Sequence, residues 1–565
     1  MPMKRAAKLL CLLLTVLLLA GCTPNGSEVV NSTSPEASGE VSHSQPPAGA
    51  VLTEQALSQI SALGESPDDN YRTWYEIFVY AFCDSDSDGI GDLRGVISKL
   101  DYLEELGVNG IWLMPIHPST TYHKYNVSDY YAIDPAYGTM EDFDALIAAC
   151  HERGIKVILD LVVNHSGSEH PWFQQAADYL RALPADGEPD PAACPYVDYY
   201  TFVRADSCPN GYSAVAGTEN WFYESKFSYD MPDLNLANEA LREELTQVMK
   251  FWLDKGAGGF RLDAAKEFYS GQTDKNVEVL SWIQKTATSL DPDCYLVAEV
   301  WDTFGMITKY YESGITSIFN YAFGNNSGKI ISVLQGAGNP DLVSTYAAAL
   351  EKADTAYRGS NPDYIDAPFL SNHDVGRIAG FVGRSPEKTK LAGAMNLFMS
   401  GSAFLYYGEE IGMVCGDIND PSFRAPMYWN EARDNGTTQP APGCTLPEEY
   451  PFGSLESQKT DDTSIYNYYR QAVAIRSALP VISHGVTTPE AALNVGCVSA
   501  QRKTWNGERC IILMNISPDA AQVDLSAYAG WTLAASLSAN SAPIAMNGAT
   551  LDLPAYGTAV LLPPS

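Results

Sequence analysis

Between about residues 71 and 479, short apolar runs alternate with segments in which apolar residues recur at helical spacing. Thr139 and Asp142 form a capping-box pattern at the start of one such segment, and Gly154 ends it. Ile155 to Val163 then forms a nearly continuous apolar run, as in a strand buried on both faces of a parallel sheet. This pattern predicts strand–helix units that build a parallel sheet.

The next unit carries the same signals. Asn238 is placed to cap a helix, Gly256 to end it, and residues 259–263 follow as a strand. The apolar face of that helix is formed by Leu241, Leu245, Val248, Met249 and Trp252. Repetition of the unit over about 400 residues predicts an α/β fold, a (β/α)8 TIM barrel that spans residues 71–480.

Two stretches break the repeat. Residues 166–233 are rich in Pro, Gly and Tyr, and we expect a small, irregular domain inserted after the third strand. Beyond Pro480 the pattern changes to short alternating strands, and Asn506-Gly507 gives a two-residue hairpin signal. Residues 481–565 are therefore predicted to form a C-terminal antiparallel β-sandwich domain.

The first residues are typical of an export signal. A basic start precedes an apolar run from Leu9 to Leu19, which is too short to span a bilayer. The run ends in Leu19-Ala20-Gly21-Cys22, which resembles the lipobox of bacterial lipoproteins, so residues 1–21 are predicted as a lipoprotein signal peptide. Residues 22–70 are rich in Ser, Pro and Gly and are predicted to form a flexible linker. We expect an extracytoplasmic protein anchored to the bacterial cell membrane by a lipid on Cys22; an ordinary signal peptide that contains a cysteine is the alternative.

Composition narrows the class of ligand. The 35 basic and 69 acidic residues give a formal net charge of −34, which repels phosphate backbones and argues against a nucleic-acid partner. It suits a neutral substrate and a bound cation, and nothing indicates an obligate protein partner.

Without Cys11 and Cys22, nine of the 11 cysteines remain, so at least one thiol should stay free. The pairs Cys194 with Cys208 and Cys497 with Cys510 are close in sequence, but neither pairing follows from it.

Polar clusters follow four of the predicted strands. Because the strands of a βα barrel present catalytic groups at their carboxyl ends, these clusters are expected to converge. A single Asp at such a place is more often a helix cap than a catalyst, but four ordered clusters are hard to explain in that way. They are 160–165 after the third strand, 259–266 at the fourth, 296–301 at the fifth and 369–374 at the seventh.

Two carboxyl groups in these clusters suit glycoside hydrolysis. Asp263 and Glu299 lie on adjacent predicted strands and can reach the separation of about 5–5.5 Å that a retaining glycosidase needs. Arg261 lies two residues before Asp263, so both side chains point to the same side and the guanidinium is expected to keep Asp263 ionised. Glu299 has apolar neighbours, which favour a raised pKa and a role as acid.

The four clusters, in this order, resemble the conserved regions of the α-amylase family of glycoside hydrolases, over nearly all of residues 71–565. The resemblance implies that Asp263 is the nucleophile, Glu299 the acid/base and Asp374 the carboxylate that stabilises the transition state. It implies that Asp160 and Asn164 support the site. The substrate-binding residues that it implies are Tyr125, His165, Arg261, Lys266 and His373. For Tyr125, a packing role in its loop is the alternative.

Finer specificity rests on fewer residues. Residues 231–235 resemble a subfamily intermediate between oligo-1,6-glucosidase and neopullulanase, and Ala264 stands where the α-1,6-cleaving branch tends to have Val. We therefore expect cleavage of α-1,4 bonds in starch, glycogen or maltooligosaccharides. Glu267 replaces a frequent His, and Lys124 and Asn126 also depart from the family pattern, which leaves the product pattern open. The alternatives are a glucan-transferring enzyme, a neopullulanase or cyclodextrin-hydrolysing enzyme of the same family with activity on α-1,6 links, and an inactive glucan-binding lipoprotein.

Residues 84–92 carry acidic side chains at alternate positions, with Gly89 at the sixth position. This spacing wraps oxygen ligands around a hard cation, as in the first half of an EF-hand loop. The predicted ligands are the side chains of Asp84, Asp86, Asp88 and Asp92 and the carbonyl of Ile90. We expect calcium, with Mg²⁺ as second choice, in a stabilising and not a catalytic role; a solvated acidic turn is the alternative.

Overall fold

The computed structural model describes residues 69–184 and 186–564 of the 565-residue chain. The predicted signal peptide, the lipid-bearing Cys22 and most of the predicted linker lie outside the described residues. Among the helices that are described, none has the length and apolar character needed to cross a membrane.

The strands form one parallel sheet and several antiparallel ones. In chain order they are β1 Thr73–Ile77, β2 Gly110–Leu113, β3 Lys156–Leu161, β4 Phe202–Arg204, β5 Tyr212–Ala214, β6 Trp221–Glu224, β7 Gly259–Leu262, β8 Tyr295–Ala298, β9 Ser317–Ile318, β10 Ala403–Tyr406, β11 Val486–Pro489, β12 Val498–Trp505, β13 Glu508–Asn515, β14 Ala521–Asp524, β15 Thr532–Ser538, β16 Ala545–Asn547, β17 Thr550–Leu553 and β18 Gly557–Leu562.

Helices surround the parallel sheet and connect its strands. They are α1 Val79–Phe82, α2 Leu93–Ser98, α3 Leu100–Leu106, α4 Met140–Glu152, α5 Pro171–Ala182, α6 Glu239–Asp254, α7 Thr273–Leu290, α8 Phe304–Tyr310, α9 Lys329–Gln335, α10 Pro340–Ser360, α11 Ile378–Phe381, α12 Pro386–Leu397, α13 Asp420–Phe423, α14 Leu455–Lys459, α15 Ile465–Ala478 and α16 Val481–His484. Short 3₁₀ turns lie at Pro195–Asp198, Tyr311–Ser313, Glu409–Ile411 and Ala491–Leu493.

The parallel sheet has the order β10-β1-β2-β3-β7-β8-β9, and every neighbouring pair in it is parallel. The gap between β9 and β10 is filled by the chain around Ala367, which forms a single parallel bridge with Phe319. Phe404 donates its N–H to the carbonyl of Pro368 at 2.8 Å and so joins this segment to β10. Pro368 has no N–H to give to a ladder, so the predicted seventh strand is reduced to a bridge. The predicted (β/α)8 barrel is confirmed.

The helix signals in the sequence are the ones that the structure uses. Thr139 and Asp142 form the capping box of α4, and the side chain of Asn238 accepts the N–H of Leu241 at the start of α6. The five apolar residues predicted for the inner face of α6 are all buried. Gly256, two residues after the helix, has φ +92°, a left-handed conformation that favours glycine.

The insertion after β3 is more regular than its composition suggests. It contains α5, whose Pro171 occupies the first turn, and a small antiparallel sheet of order β4-β6-β5. The buried face of α5 consists of Phe173, Ala176, Ala177 and Leu180, which recur at helical spacing within the Pro- and Gly-rich segment.

The C-terminal part is a sandwich of two antiparallel sheets, with orders β11-β12-β13-β18-β15 and β14-β17-β16. The predicted hairpin joins β12 to β13 through Asn506 and Gly507, which have φ +47° and +84°, as a two-residue loop of this kind requires. Leu513, Leu551 and Leu561 are fully buried in its own core. Among the described residues, each of the nine cysteines is a free thiol.

Candidate active site

A cleft of about 790 Å³ lies at the carboxyl ends of the barrel strands. It collects side chains from every one of the four polar clusters and from the insertion. Its lining residues are His123, Tyr125, His165, Phe227, Ser228, Met231, Asp263, Ala264, Lys266, Glu267, Glu299, Trp301, Asp374, Asp420 and Arg424. The convergence expected from a βα barrel is therefore present.

Arg261 joins the two predicted catalytic carboxyl groups. Its Nη1 lies 2.8 Å from Asp263 Oδ1, and its Nη2 lies 2.8 Å from Glu299 Oε2. The same Nη1 also lies 2.8 Å from Asp160 Oδ1. The geometry follows from the strands. Arg261 in β7 and Asp263 directly after it are two residues apart, so their side chains point to the same side. Glu299 directly follows β8, the strand that pairs with β7. The guanidinium is 1% exposed, so these charges interact away from bulk water.

A turn after β7 adds a second contact between the two groups. The backbone N–H of Ala264 donates to Glu299 Oε2 at 3.0 Å. Ala264 has φ +47°, which an alanine rarely adopts, so the chain bends sharply directly after Asp263. Such local strain persists where surrounding contacts hold it, and here it aims a backbone donor at the carboxyl group of Glu299.

Burial controls the protonation of this pair. It raises the pKa of Glu299, against the opposing effect of Arg261. It also raises the pKa of Asp263, again against Arg261. The expected contact with Arg261 is present and lowers the pKa of Asp263, but burial has the larger effect on that pKa. Two buried carboxyl groups on one guanidinium resist carrying two negative charges, so the site favours one ionised and one protonated group.

Asp374 and His373 form a second charged group in the cleft. His373 Nε2 lies 3.0 Å from Asp374 Oδ2, and its Nδ1 lies 2.6 Å from Glu76 Oε1. Burial lowers the pKa of His373, but the carboxylates of Asp374 and Glu76 outweigh it and raise that pKa to about 10. Burial acts to raise the pKa of Asp374, but His373 and Arg424 hold it well below its ordinary value.

The remaining predicted residues occupy different positions around the cleft. The hydroxyl of Tyr125 donates to Asp160 Oδ2 at 2.9 Å and lies 2.8 Å from His373 Nε2. His165 is buried, which lowers its pKa to about 4, and its Nε2 has no protein partner. Lys266 lines the cleft but donates to the carbonyl of Trp301 at 3.1 Å, so it supports that loop and does not contact the three carboxylates.

Several cleft residues were not predicted. Trp301 and Phe227 are 45% and 49% exposed, and Trp301 stacks on Tyr321 at 5.4 Å between ring centroids. Arg424 and Glu76 bind Asp374 and His373. Glu76 had a signal, since it is the one charge within the apolar run 74–82, and a buried charge needs a partner. Arg424 had none, because it lies in a long irregular connection.

The structure brings Asp84, Asp86 and Asp88 together, with one oxygen from each within 4.8 Å of the others. This donor set fits a hard divalent cation. Both oxygens of Asp92 accept hydrogen bonds from Ser85, and Asp92 also caps α2. Both oxygens of this predicted ligand are therefore already engaged by protein donors.

One connection, residues 412–454, contacts both sites. It carries Arg424, whose Nη2 lies 2.8 Å from Asp374 Oδ1. It also holds the acidic loop through backbone hydrogen bonds, from Asp84 N to Gly436 O at 2.9 Å and from Gln439 N to Gly89 O at 2.7 Å.

Comparison with known proteins agrees with this geometry. A sequence model described as "Alpha amylase, catalytic domain" matches residues 76–485, and the C-terminal immunoglobulin-like domain of D-apionate lactonase matches residues 497–561. Alpha-amylase 3 of Dictyoglomus thermophilum is 40% identical over 417 residues, which cover 73% of this chain and 78% of that protein.

Solved structures give the same result. Amy13B of Eubacterium rectale is 44% identical with a TM-score of 0.85, and the match covers 90% of this chain and 98% of that one. The α-amylase of H. orenii is 33% identical with a TM-score of 0.76, over 88% of this chain and 100% of that one. The family match covers well over half of the chain and includes the whole cleft, and we conclude that this protein is a member of the α-amylase family of glycoside hydrolases.

Proposed function

We propose that the protein hydrolyses α-1,4-glucosidic bonds of starch, glycogen or maltooligosaccharides by a retaining double displacement. The observation that carries this proposal is the Arg261 guanidinium, which holds Asp263 and Glu299 on its two terminal nitrogens at 2.8 Å each. Two carboxyl groups fixed on one rigid fork in a cleft are what this chemistry needs. Similarity to two proteins named as α-amylases supports the choice of bond.

In the first step Glu299 donates its proton to the glycosidic oxygen, and Asp263 attacks the anomeric carbon to form a covalent glycosyl-enzyme. The raised pKa of Glu299 suits the donation, because burial favours the protonated form of this carboxyl group. The loss of that proton leaves Glu299 charged beside Arg261 Nη2, which stabilises the new charge.

In the second step Glu299, now ionised, accepts a proton from water, and the resulting hydroxide displaces Asp263 with overall retention of configuration. Asp374 remains ionised through both steps, because His373 and Arg424 hold its two oxygens at 3.0 and 2.8 Å. Its negative charge stabilises the positive charge that develops on the sugar ring in each transition state.

Sugar binding is assigned to the cleft residues that have free polar atoms or faces. His165 Nε2 is buried without a protein partner, so a sugar hydroxyl would satisfy it. Tyr125 forms the apolar platform and Trp301, half exposed on the Glu299 side, offers a flat face to the leaving part of the glucan.

Product analysis tests this proposal. The purified protein is incubated with starch, maltotriose, pullulan and cyclodextrin, and the anomeric form of the first product is read by NMR. Maltooligosaccharides released from starch as α-anomers are the expected result. Transfer products in place of free sugars would assign a glucan transferase, preferential cleavage of pullulan or cyclodextrin would assign a neopullulanase-like enzyme, and no conversion of any of them would overturn the proposal.

We propose calcium as the occupant of the acidic loop, held by Asp84, Asp86 and Asp88, with Asp92 and the carbonyl of Ile90 as further ligands. The mutual approach of the three carboxylates within 4.8 Å supports this choice, and a bound cation would stabilise the loop through charge neutralisation. No step of the reaction involves this ion.

We also propose that the protein is a lipoprotein, anchored outside the cytoplasm to the cell membrane through a lipid on Cys22. The support is the sequence of the first 22 residues, which lie outside the described part of the chain. Metabolic labelling with a fatty acid and fractionation of cells that produce the wild type or Cys22→Ser test it. A Cys22→Ser protein that still takes up the label would contradict the anchor.

A further inference from the structure

Glu76 lies at the carboxyl end of β1 and is 2% exposed, directly beneath the cleft. We propose that Glu76 is a positioning residue for the hydrolysis, which keeps His373 protonated between two carboxylates and thereby fixes Asp374 and Tyr125 for the sugar. This inference rests on the proposed function and adds to it a residue that does not itself reach the substrate.

The hydrogen-bond geometry of His373 carries the argument. Its Nδ1 lies 2.6 Å from Glu76 Oε1, and its Nε2 lies 3.0 Å from Asp374 Oδ2. Burial raises the pKa of Glu76, and the charge on His373 opposes that rise, so the two groups favour each other's ionised form. An ionised carboxylate only accepts hydrogen bonds, so an imidazole between two of them carries a hydrogen on each nitrogen. His373 is 0% exposed, so water does not compete for either nitrogen. We infer that the ring is an imidazolium. Its raised pKa of about 10 is in line with this state.

This protonation state sets the direction of the neighbouring hydrogen bonds. The Nε2–H of His373 also points to the hydroxyl of Tyr125 at 2.8 Å, which is then free to donate only to Asp160 Oδ2 at 2.9 Å. Asp374 has one oxygen on His373 and the other on Arg424, so neither rotates away from the cleft. A neutral His373 would lose one of these donors.

The other charged groups around His373 come from several elements. Arg261 on β7 and Arg424 in the 412–454 connection are cations, and the Nε of Arg424 donates to the carbonyl of His373 at 3.0 Å. The carboxyl groups that interact with His373 are Glu76, Asp374, Asp160 and Asp263. Burial and the two guanidinium groups oppose its charge, and the carboxylates favour it. Only Asp374 and Glu76, of these carboxyl groups, contact His373 directly. Loss of the Glu76 charge should therefore lower the pKa of His373.

The test is the pH dependence of Glu76→Gln with α-maltotriosyl fluoride as substrate. Fluoride leaves without a proton from Glu299. The alkaline limb of kcat/KM on this substrate therefore reports the ionisation of His373 between Glu76 and Asp374, and not that of the general acid. The wild type should keep nearly constant kcat/KM between about pH 6 and 9, because His373 stays charged throughout. Glu76→Gln should lose about tenfold over the same interval as His373 loses its proton.

Glu409→Gln is the matched control. Glu409 is 1% exposed and bonds to Ser371 and Tyr469 in the same barrel, but it does not contact His373. The same chemical change at similar depth should lower Tm without adding a slope to the pH profile. Glu76→Asp, which keeps the charge on a shorter side chain, should restore most of the flat profile.

A second measurement uses the wild type alone, so it holds even if Glu76→Gln does not fold. Nitrogen-15 shifts of histidine-labelled protein, with the His373 signal assigned from His373→Gln, should show an imidazolium at about pH 8.5. A neutral His373 at that pH, or a Glu76→Gln profile that superimposes on the wild type, would overturn the inference. Absence of fluoride release by the wild type at every pH would instead refute the proposed function.

Discussion

Arg424 holds Asp374 and the chain beside it with one guanidinium group: its Nη2 lies 2.8 Å from Asp374 Oδ1, and its Nε donates to the carbonyl of His373 at 3.0 Å. A residue 50 positions away in sequence thus completes the cleft. The contact helps to explain how the partly buried carboxyl group of Asp374 stays ionised.

Replacement of Arg424 should lower activity without moving the acid limb of the pH profile. Despite burial, the pKa of Asp374 is held well below its ordinary value, mainly by His373, whereas the pKa of the nucleophile Asp263 is raised, so we expect Asp263 to set the acid limb. Arg424→Met should lower the maximum of kcat/KM about tenfold or more, because Asp374 loses the donor that fixes one of its oxygens. Arg424→Lys keeps a charge and should lose less. An unchanged maximum in Arg424→Met would contradict this role.

The catalytic pair is tested by variants that separate the two steps. Asp263→Asn and Glu299→Gln should each lose about 10³-fold or more of kcat on maltooligosaccharides while their Tm stays close to that of the wild type. On α-maltotriosyl fluoride Glu299→Gln should still form the glycosyl-enzyme and release a burst of fluoride, and Asp263→Asn should not. Near-wild-type turnover of maltooligosaccharides by either variant would refute the assignment.

The acidic loop should bind calcium with an effect on stability. Addition of EDTA should lower the Tm of the wild type by several degrees, and excess calcium should restore it. Asp86→Asn/Asp88→Asn should have a low Tm that calcium does not raise. Mg²⁺ in place of calcium serves as the selectivity control. An unchanged Tm after EDTA would show that the loop is a solvated turn.

Lys503 gives a pH dependence of stability. It is fully buried and donates to Ser400 Oγ at 2.8 Å and Thr487 Oγ1 at 2.7 Å, and burial lowers its pKa from 10.5 to about 7. Between these two values the unfolded chain binds a proton that the folded one does not, so its contribution to stability is lost as the pH falls from 10.5 to 7.

Comparison with Lys503→Met isolates this effect, because the other titrating groups are common to both proteins. The free energy of unfolding of the wild type, minus that of Lys503→Met, should increase by roughly a few kcal/mol from about pH 7 to 10. Denaturant titrations at several pH values measure it. A difference that stays level or declines with pH would mean that Lys503 remains charged in the fold.

Trp301 should bind the leaving part of the glucan. Its ring is half exposed in the cleft and rests on Tyr321 at 5.4 Å, so it is already ordered before a sugar arrives. Trp301→Ala should raise KM for maltotetraose about tenfold and affect α-maltotriosyl fluoride much less. Trp282→Ala, outside the cleft, is the control. Equal losses on both substrates would contradict this position for Trp301.

Much of this arrangement could be predicted from the sequence because it depends on local periodicity. Arg261 and Asp263 share a side of β7 through the two-residue repeat of a strand, and Glu299 is brought next to them by the pairing of β7 with β8. The cap of α6 and the hairpin at Asn506 are local in the same way.

The rest depends on contacts between residues far apart in sequence. Glu76 meets His373 across 297 positions, and no pattern along the chain shows which buried histidine a buried glutamate will find. The sequence predicts a seventh strand that ends at residues 369–374, but the lack of an N–H at Pro368 reduces it to a single bridge between Ala367 and Phe319. The rise in the pKa of Asp263 could not be predicted for a related reason, since burial depends on the complete fold.

The connection at residues 412–454 reaches the catalytic carboxylate through Arg424 and the acidic loop through Gly436 and Gln439. Between these anchors the chain makes an exposed turn at residues 431–435, which includes Arg433. A trypsin-like protease that cut there would leave Arg424 on one fragment and the backbone partners of the acidic loop on the other. The resistance of this turn to proteolysis thus sets how long the covalent link between the two sites lasts in the presence of such a protease.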